Sequence, residues 1–268
     1  MDLRTPSNAQ CRDPNLAFER DWDSPMSFQA SEGEFRNRFW IIAAIIWAGF
    51  LLYAVDHVNA AEGLTRLILR TTDESSAAFG RCITALFWFA TLIVAIGALI
   101  RSWAESYLHS SIVHDAALHG EQLVADGPYR RVRNPLYLGN LFLAVGLGFL
   151  ACRSGFFVIS IGMFVFVYRL ILREETTLLQ SQGESYRRYF GAVPRLFPTL
   201  TPRVPASGAK PNWVDGFTGE IFMWGGAAAM AAFAITRNII WWWSVFGAGM
   251  AIYFLQAWLR SRRKRAAH

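Results

Sequence analysis

Cysteine and charge are both scarce in this sequence, and each shortage excludes a class of protein. The 268 residues include three cysteines, Cys11, Cys82 and Cys152, which are far apart and in no metal-binding or redox spacing. A disulfide framework is therefore excluded, and these side chains are expected to act as small apolar packing groups. Only 17% of the residues are charged and 53% are apolar, which is not the balance of an ordinary soluble domain.

Recognisable metal-binding motifs are also missing. His109, His114 and His119 recur at a spacing of five residues, which on a helix turns each imidazole away from the face of the one before. No HExxH sequence occurs, so we predict no metal site. Residues 1–15 are polar and lack the apolar core of a signal peptide.

Long apolar blocks are abundant, and several reach the roughly 17–25 residues that a membrane-spanning helix needs. They predict an all-α, polytopic integral membrane protein of about six transmembrane helices, with the lipid bilayer as its surroundings. The predicted spans are residues 39–55, 79–100, 136–151, 155–172, 217–236 and 239–259. The mixed polar and apolar residues 101–122 predict an interfacial helix that lies along the membrane.

This pattern divides the chain into three predicted parts. Residues 1–38 predict a polar cytosolic arm, residues 39–212 a membrane core that ends in a cytosolic segment over 173–212, and residues 213–268 two additional transmembrane helices with a basic tail. The net charge is +6, and the basic residues lie mainly on alternate loops. This asymmetry orients both termini toward the cytosol and does not imply nucleic acid; in a bacterium the protein would lie in the plasma or inner membrane.

The last two predicted helices are rich in small residues, which allow helices to approach closely. This pattern predicts tight contacts within the chain or a homodimer through these helices. The residues concerned are Gly225, Gly226, Ala227, Gly247 and Gly249.

Two polar clusters flank the third and fourth predicted spans. The first is Leu123–Asn140, LVADGPYRRVRNPLYLGN; the second starts at Arg173-Glu174-Glu175 and continues with GESYRRYFGAVPRLFP over 183–198. Only residues 152–154 separate the two spans, so they form an antiparallel hairpin and both clusters meet at the cytosolic face. Taken singly, the arginines could be lipid anchors and the carboxylates a solvated helix end. Their combination and order favour a functional site.

The ordered motifs resemble those of the isoprenylcysteine carboxyl methyltransferase and phospholipid methyltransferase superfamily of integral membrane enzymes. The similarity covers about residues 79–200 and has two halves. The first half is Leu123, Val124, Gly127, Pro128, Tyr129, Arg130, Val132, Arg133, Asn134, Pro135, Tyr137 and Gly139. The second half is Glu174, Glu175, Leu178, Gly183, Tyr186, Tyr189, Val193, Arg195 and Pro198.

This resemblance implies S-adenosylmethionine as cofactor, a cofactor pocket at the cytosolic face, and methyl transfer to a lipophilic acceptor such as an isoprenylcysteine-type carboxylate or a related thiol or lipid. It implies cofactor binding by Val124, Gly127, Pro128, Tyr129, Arg133, Asn134, Tyr137, Glu174 and Glu175. Substrate binding is implied for Tyr186, Tyr189 and Arg195, and catalytic roles for Arg195, Glu175 and Asn134.

One departure from the family pattern bears on mechanism. Asn134 stands where the pattern has histidine, and an amide can donate a hydrogen bond but cannot carry a proton. An amine acceptor would therefore need another group as its base, and a membrane scaffold that has lost activity stays open as an alternative. Two further alternatives are a phospholipid amine N-methyltransferase and an NADPH-dependent membrane sterol-type reductase with a similar hairpin.

Overall fold

Helices make up the fold in a computed structural model that describes residues 28–117 and 125–266. Residues 1–27 of the predicted arm, including Cys11, lie outside the described residues, as do Val124 and His119. The helices are α1 Glu32–Arg36, α2 Arg38–Leu51, α3 Ala60–Leu69, α4 Ala77–Ala117, α5 Pro135–Gly148, α6 Arg153–Ala192, α7 Trp213–Gly219, α8 Ile221–Thr236 and α9 Ile239–Ala266. No strand occurs within these described ranges, so the predicted all-α class is confirmed.

Membrane-crossing length separates these helices into two groups. Ala77–Leu108, Arg153–Ala192 and Ile239–Leu259 are long and apolar enough to cross a bilayer, and α7 with α8 could make a fourth span bent by 62°. The apolar helices Arg38–Ala54 and Pro135–Gly148 are shorter. A helix of 14 residues such as α5 is about 21 Å long, against a hydrocarbon core of about 30 Å. The membrane fold is confirmed, whereas the number of six spans is not.

Two predicted helix ends differ from the observed ones. Residues 101–117 continue the second span as part of α4, so the prediction of a separate interfacial helix over 101–122 is wrong for this part. The charge at Arg101 does not end the helix, because the side chain is paired inside the protein. Likewise α6 runs past residue 172 to Ala192, with a non-helical residue at Gly183.

Helix α4 is the central packing element. It contacts α3, α5, α7 and α8, while α6 packs against α2 and α5. The α4–α5 contact is close because Gly97 and Gly139 face each other: a Cβ on Gly97 would stand 2.9 Å from the Gly139 carbonyl oxygen. These contacts bring the start of α5 and the middle of α6 together at one end of the bundle.

The last helix has few contacts with the rest of the protein. Only 6% of the apolar window of α9 is buried, and its principal neighbour is α8. The two helices meet at Gly225 and Gly249, where a Cβ on Gly249 would lie 3.0 Å from the Gly225 Cα. Gly225 and Gly249 thus serve a contact within the chain, whereas a Cβ on Gly247 would meet no atom within 4 Å, and the homodimer stays a prediction.

Candidate active site

The loop before α5 begins with a turn that is fixed by its own carboxylate. Asp126 accepts hydrogen bonds from the backbone amides of Ser207 and Ala209, at 3.0 and 2.8 Å, and from the Ser207 hydroxyl. Burial raises the pKa of the Asp126 carboxyl, but these hydrogen bonds outweigh that effect and hold the pKa below its ordinary value. The segment 205–209 is therefore tied to the start of the loop.

Gly127 occupies a left-handed backbone conformation, with φ of 58°, and opens a short 3₁₀ helix over Gly127–Arg130. A Cβ at this position would lie 2.5 Å from Cε2 of the Tyr107 ring. Both the backbone angle and the close approach therefore require glycine.

Gly127→Ala is expected to destabilise the protein by about 1–3 kcal/mol for the backbone strain alone, with a further loss from the overlap with Tyr107. Gly183→Ala is a matched control, because Gly183 also has a positive φ of 56° but has no atom within 4 Å of an added Cβ. Thermal unfolding of both variants should show the larger loss for Gly127→Ala. Equal losses would mean that Tyr107 moves aside without cost.

The loop is paired with the segment that follows α6. The backbone amide of Arg133 donates to the Pro194 carbonyl at 2.9 Å, and the amide of Thr199 donates to the Arg131 carbonyl at 3.0 Å. The amide of Arg203 donates to the Arg130 carbonyl at 2.8 Å. The two motif halves are thus joined by main-chain hydrogen bonds, as the predicted hairpin requires.

Glu175 is the centre of a buried ionic network. Its Oε1 accepts from Arg133 Nε at 2.8 Å and from Asn134 Nδ2 at 3.1 Å, and its Oε2 accepts from Arg195 Nε at 2.8 Å. The side chains of Glu175 and Arg133 are 3% and 6% exposed, and that of Arg195 is 19% exposed. Since both carboxylate oxygens are engaged by the protein, Glu175 organises the other polar residues of the site.

The remaining donors of this network fix the segment after α6. Arg133 Nη1 donates to the carbonyls of Phe190 and of Val193, the latter at 2.7 Å, and its guanidinium lies 4.0 Å from the centroid of the Phe190 ring. The Asn134 amide also donates to the Arg195 carbonyl at 3.0 Å. Asn134 therefore holds two acceptors with one side-chain amide, which is a positioning role that needs no proton transfer.

Glu174 points to a different environment from its neighbour. Its Oε1 accepts a hydrogen bond of 2.7 Å from the Tyr137 hydroxyl, in the first turn of α5. Among the described residues, no partner contacts Oε2, and the side chain is only partly buried. Glu174 thus presents a carboxylate oxygen that a ligand could engage.

The tyrosines of the second motif half are packed inside the protein. Tyr186 and Tyr189 are 3% and 8% exposed, their ring centroids are 5.8 Å apart, and the Tyr189 hydroxyl donates to the Tyr129 carbonyl at 2.8 Å. Pro128 is buried in the same loop. In this arrangement Tyr186 and Tyr189 contribute to the packing of the loop against α6, and their predicted contact with substrate stays a prediction.

Tyr168 is a polar partner that motif reasoning missed. Its hydroxyl accepts a hydrogen bond of 2.6 Å from Arg195 Nη1, and its ring is stacked on Phe164, with centroids 6.2 Å apart. The signal in the sequence is its position near the end of a mainly apolar span, where a buried hydroxyl needs a partner. Arg195 is therefore held by one carboxylate and one phenol.

Comparison with known families agrees with these motifs. The sequence model described as phospholipid methyltransferase matches residues 85–185. The matched region includes the loop before α5 and the carboxylates Glu174 and Glu175, and it ends before Arg195. The resemblance to this superfamily that the sequence motifs indicate is thereby confirmed for the central part of the chain.

Curated relatives match the same central part of the chain. A probable protein-S-isoprenylcysteine O-methyltransferase of Oryza sativa subsp. indica is 31% identical over 111 residues, which cover 38% of this chain and 58% of the relative. The cobalt-zinc-cadmium resistance protein CzcN of Cupriavidus metallidurans is 27% identical over 114 residues, covering 42% and 53%. The nickel-cobalt-cadmium resistance protein NccN of Alcaligenes xylosoxydans xylosoxydans is 28% identical over 117 residues, covering 44% and 52%. The chain thus spans about half the length of these relatives, and no solved structure matches it significantly.

Proposed function

We propose that this membrane protein is a methyltransferase that uses S-adenosylmethionine and methylates a lipophilic acceptor at the cytosolic face. The observation that carries the proposal is the buried network in which Glu175 joins Arg133 and Asn134 of the first motif half to Arg195 of the second. The match of residues 85–185 to a methyltransferase family supports this class over the NADPH-dependent reductase. The family model covers residues 85–185, less than half of the chain, so we propose the cofactor and the acceptor from the chemistry of the site residues.

The residues around the network fit S-adenosylmethionine by their chemistry. A carboxylate can accept from the ammonium or the ribose hydroxyls of the cofactor, and Glu174 has one oxygen held by Tyr137 and the other without a partner among the described residues. The turn with Gly127, Pro128 and Tyr129 adds main-chain groups, and the Tyr129 hydroxyl lies within electrostatic range of Glu174. When bound, the cofactor supplies an electrophilic methyl group, and the protein's task is to orient it and exclude water.

The guanidinium of Arg195 supports an anionic methyl acceptor. Its Nε and Nη1 donate to Glu175 and Tyr168, and within the described part of the chain no residue hydrogen-bonds to Nη2. A guanidinium with an unused N–H suits an anionic acceptor, such as the carboxylate of an isoprenylcysteine or a thiolate. Such an acceptor arrives deprotonated, so the transfer needs no base at Asn134.

A phospholipid amine is the second candidate acceptor, since the matching family is described as phospholipid methyltransferase. An amine would have to lose a proton, which Asn134 cannot accept. Glu174 is the nearest carboxylate of the site that is not saturated by arginines, and it would take that role in this alternative.

In the proposed topology, this site lies at the cytosolic face of the membrane. Arg130, Arg131 and Arg133 lie in the loop before α5, and Arg187 and Arg188 lie near the end of α6 at the same end of the hairpin. Under the positive-inside rule this end faces the cytosol, with both chain termini on that side.

Binding of S-adenosylhomocysteine to the detergent-solubilised protein, measured by calorimetry, tests the cofactor assignment. Glu174→Gln is expected to weaken this binding by about 1–3 kcal/mol, because an amide has one acceptor oxygen and no negative charge to offer an ammonium or ribose hydroxyl. Glu184→Gln is the matched control: the same change on the same helix, at a side chain that is 70% exposed. It should leave the dissociation constant unchanged.

Two outcomes would contradict the assignment. Binding of NADPH without binding of S-adenosylhomocysteine would assign the chain to the reductase class. Equal dissociation constants for the wild type and Glu174→Gln would remove Glu174 from the cofactor site.

A further inference from the structure

A second buried ion pair joins α4 to the C-terminal part of the chain. Arg101 Nε and Nη2 donate to the two carboxylate oxygens of Glu220, each at 2.7 Å. The side chains of Arg101 and Glu220 are 20% and 5% exposed. Glu220 lies within the predicted fifth span, near apolar surroundings, where a charge without a partner would be costly. The bidentate geometry makes this pair strongly directional.

The third guanidinium nitrogen of Arg101, Nη1, bonds to the beginning of α5. This nitrogen donates to the Leu136 carbonyl at 3.1 Å and to Asn140 Oδ1 at 3.0 Å. Gly139 makes room for the arginine, because a Cβ there would lie 2.8 Å from Arg101 Cδ and overlap Cγ. The same turn of α5 includes Tyr137, which bonds to Glu174, and follows directly on Asn134.

Residues on both sides of Glu220 hydrogen-bond to α4 and thereby hold Glu220 in place. It lies at the 62° bend between α7 and α8, and one turn later the Trp224 indole N–H donates to Ser102 Oγ at 3.0 Å. The amide of Asn212 donates to the Ser106 carbonyl at 2.8 Å, so this segment contacts α4 on both sides of the bend. The bend between α7 and α8, which these contacts with α4 hold in place, therefore fixes the position of Glu220 relative to Arg101.

We propose that Glu220 is a positioning residue for the methyl-transfer site, acting through Arg101 on the first turn of α5. The helices beyond residue 212, which lie outside the family match, would then be part of the frame of the active site. Without the Glu220 charge, the Arg101 guanidinium turns away from α5 toward water or another acceptor, and the turn that holds Asn134 and Tyr137 loosens. The link to methyl transfer rests on the proposed function; the link to α5 does not.

Hydrogen–deuterium exchange of the cofactor-free, full-length protein tests the link to α5. In an α-helix the amides of residues 138–140 bond to the carbonyls of residues 134–136, and the Leu138 amide lies 3.1 Å from the Asn134 carbonyl oxygen. Glu220→Gln should speed exchange in the peptide that covers these amides by at least about tenfold. Asp56→Asn is the matched control, because it removes one partner of the Asp56–Arg153 ion pair elsewhere in the protein and should leave this peptide unchanged.

A double variant, Arg101→Met with Glu220→Met, separates positioning from stability. It should recover most of the thermal midpoint lost in Glu220→Gln, because no charge stays buried without a partner. It should not recover slow exchange, because Leu136 and Asn140 still lack the arginine. Recovery of both, or unchanged exchange in Glu220→Gln, would overturn the positioning role.

Cofactor titration of the same variants tests the functional part. If the wild type binds S-adenosylhomocysteine, Glu220→Gln should bind it about tenfold more weakly, and an unchanged affinity would limit Glu220 to the structure of α5 and overturn its role in the site. If the wild type binds none, the proposed function fails, while the exchange experiment still decides whether Glu220 acts on α5.

Discussion

Glu175→Gln is expected to lower the free energy of unfolding by about 3–5 kcal/mol, the largest stability loss predicted for this protein. The carboxylate compensates Arg133 and Arg195 at once, and its side chain is 3% exposed. An amide keeps the volume of the side chain but carries no charge and directs N–H groups at one of the arginines. Both guanidinium groups then stay near the protein interior without an anion.

The neighbouring carboxylate provides the control for this experiment. Glu174→Gln removes the same charge one residue earlier, where the only side-chain hydrogen bond among the described residues comes from the Tyr137 hydroxyl. For a chain of this size, a loss of 3–5 kcal/mol corresponds to a fall in the unfolding midpoint of roughly 6–20 °C. Thermal unfolding in mild detergent, followed by tryptophan fluorescence, should show this fall for Glu175→Gln and a much smaller one for Glu174→Gln. Equal midpoints for the two variants would rule out the central structural role of Glu175.

Arg195→Ala is expected to reduce turnover by about 10²–10³-fold while S-adenosylhomocysteine still binds. The guanidinium is held by Glu175 and Tyr168, and its Nη2 has no partner within the described residues, so it can hold an anionic acceptor in line with the methyl group. The loss therefore falls on the transfer step rather than on cofactor binding.

A transfer assay with radiolabelled S-adenosylmethionine and N-acetyl-S-farnesylcysteine measures this effect, alongside calorimetry on the same preparation. Arg188→Ala is the control, since Arg188 is an exposed arginine near the end of α6, seven residues before Arg195, and it should keep full activity. Lost cofactor binding in a folded Arg195→Ala variant would assign Arg195 to the cofactor. Full turnover would remove it from the site.

Much of the fold could be predicted from local sequence, because each apolar block satisfies its own backbone hydrogen bonds as a helix. Helix ends were less predictable. Arg101 follows an apolar run and resembles a membrane boundary, yet α4 continues through it, since the partner that stabilises the charge is Glu220, more than a hundred residues later. Such a partner has no signature in the residues around Arg101.

The site divides in the same way between sequence and structure. The motifs around Asn134, Glu175 and Arg195 predict one polar site, and the structure joins these three residues in one network. The hydrogen bond between Arg195 and Tyr168 was not predictable. A tyrosine in an apolar span has no fixed partner until the segment after α6 folds back over it.

The sequence by itself determined that this chain is a helical membrane protein, that its central part resembles a methyltransferase superfamily, and which two motif halves come together. Only the tertiary structure decided how the two adjacent carboxylates differ. Consecutive residues on an α-helix point about 100° apart, so Glu174 and Glu175 face different neighbours although they are chemically identical. Glu175 bonds to the arginines and joins the two motif halves, whereas Glu174 bonds to a single tyrosine and has one oxygen with no hydrogen-bond partner among the described residues.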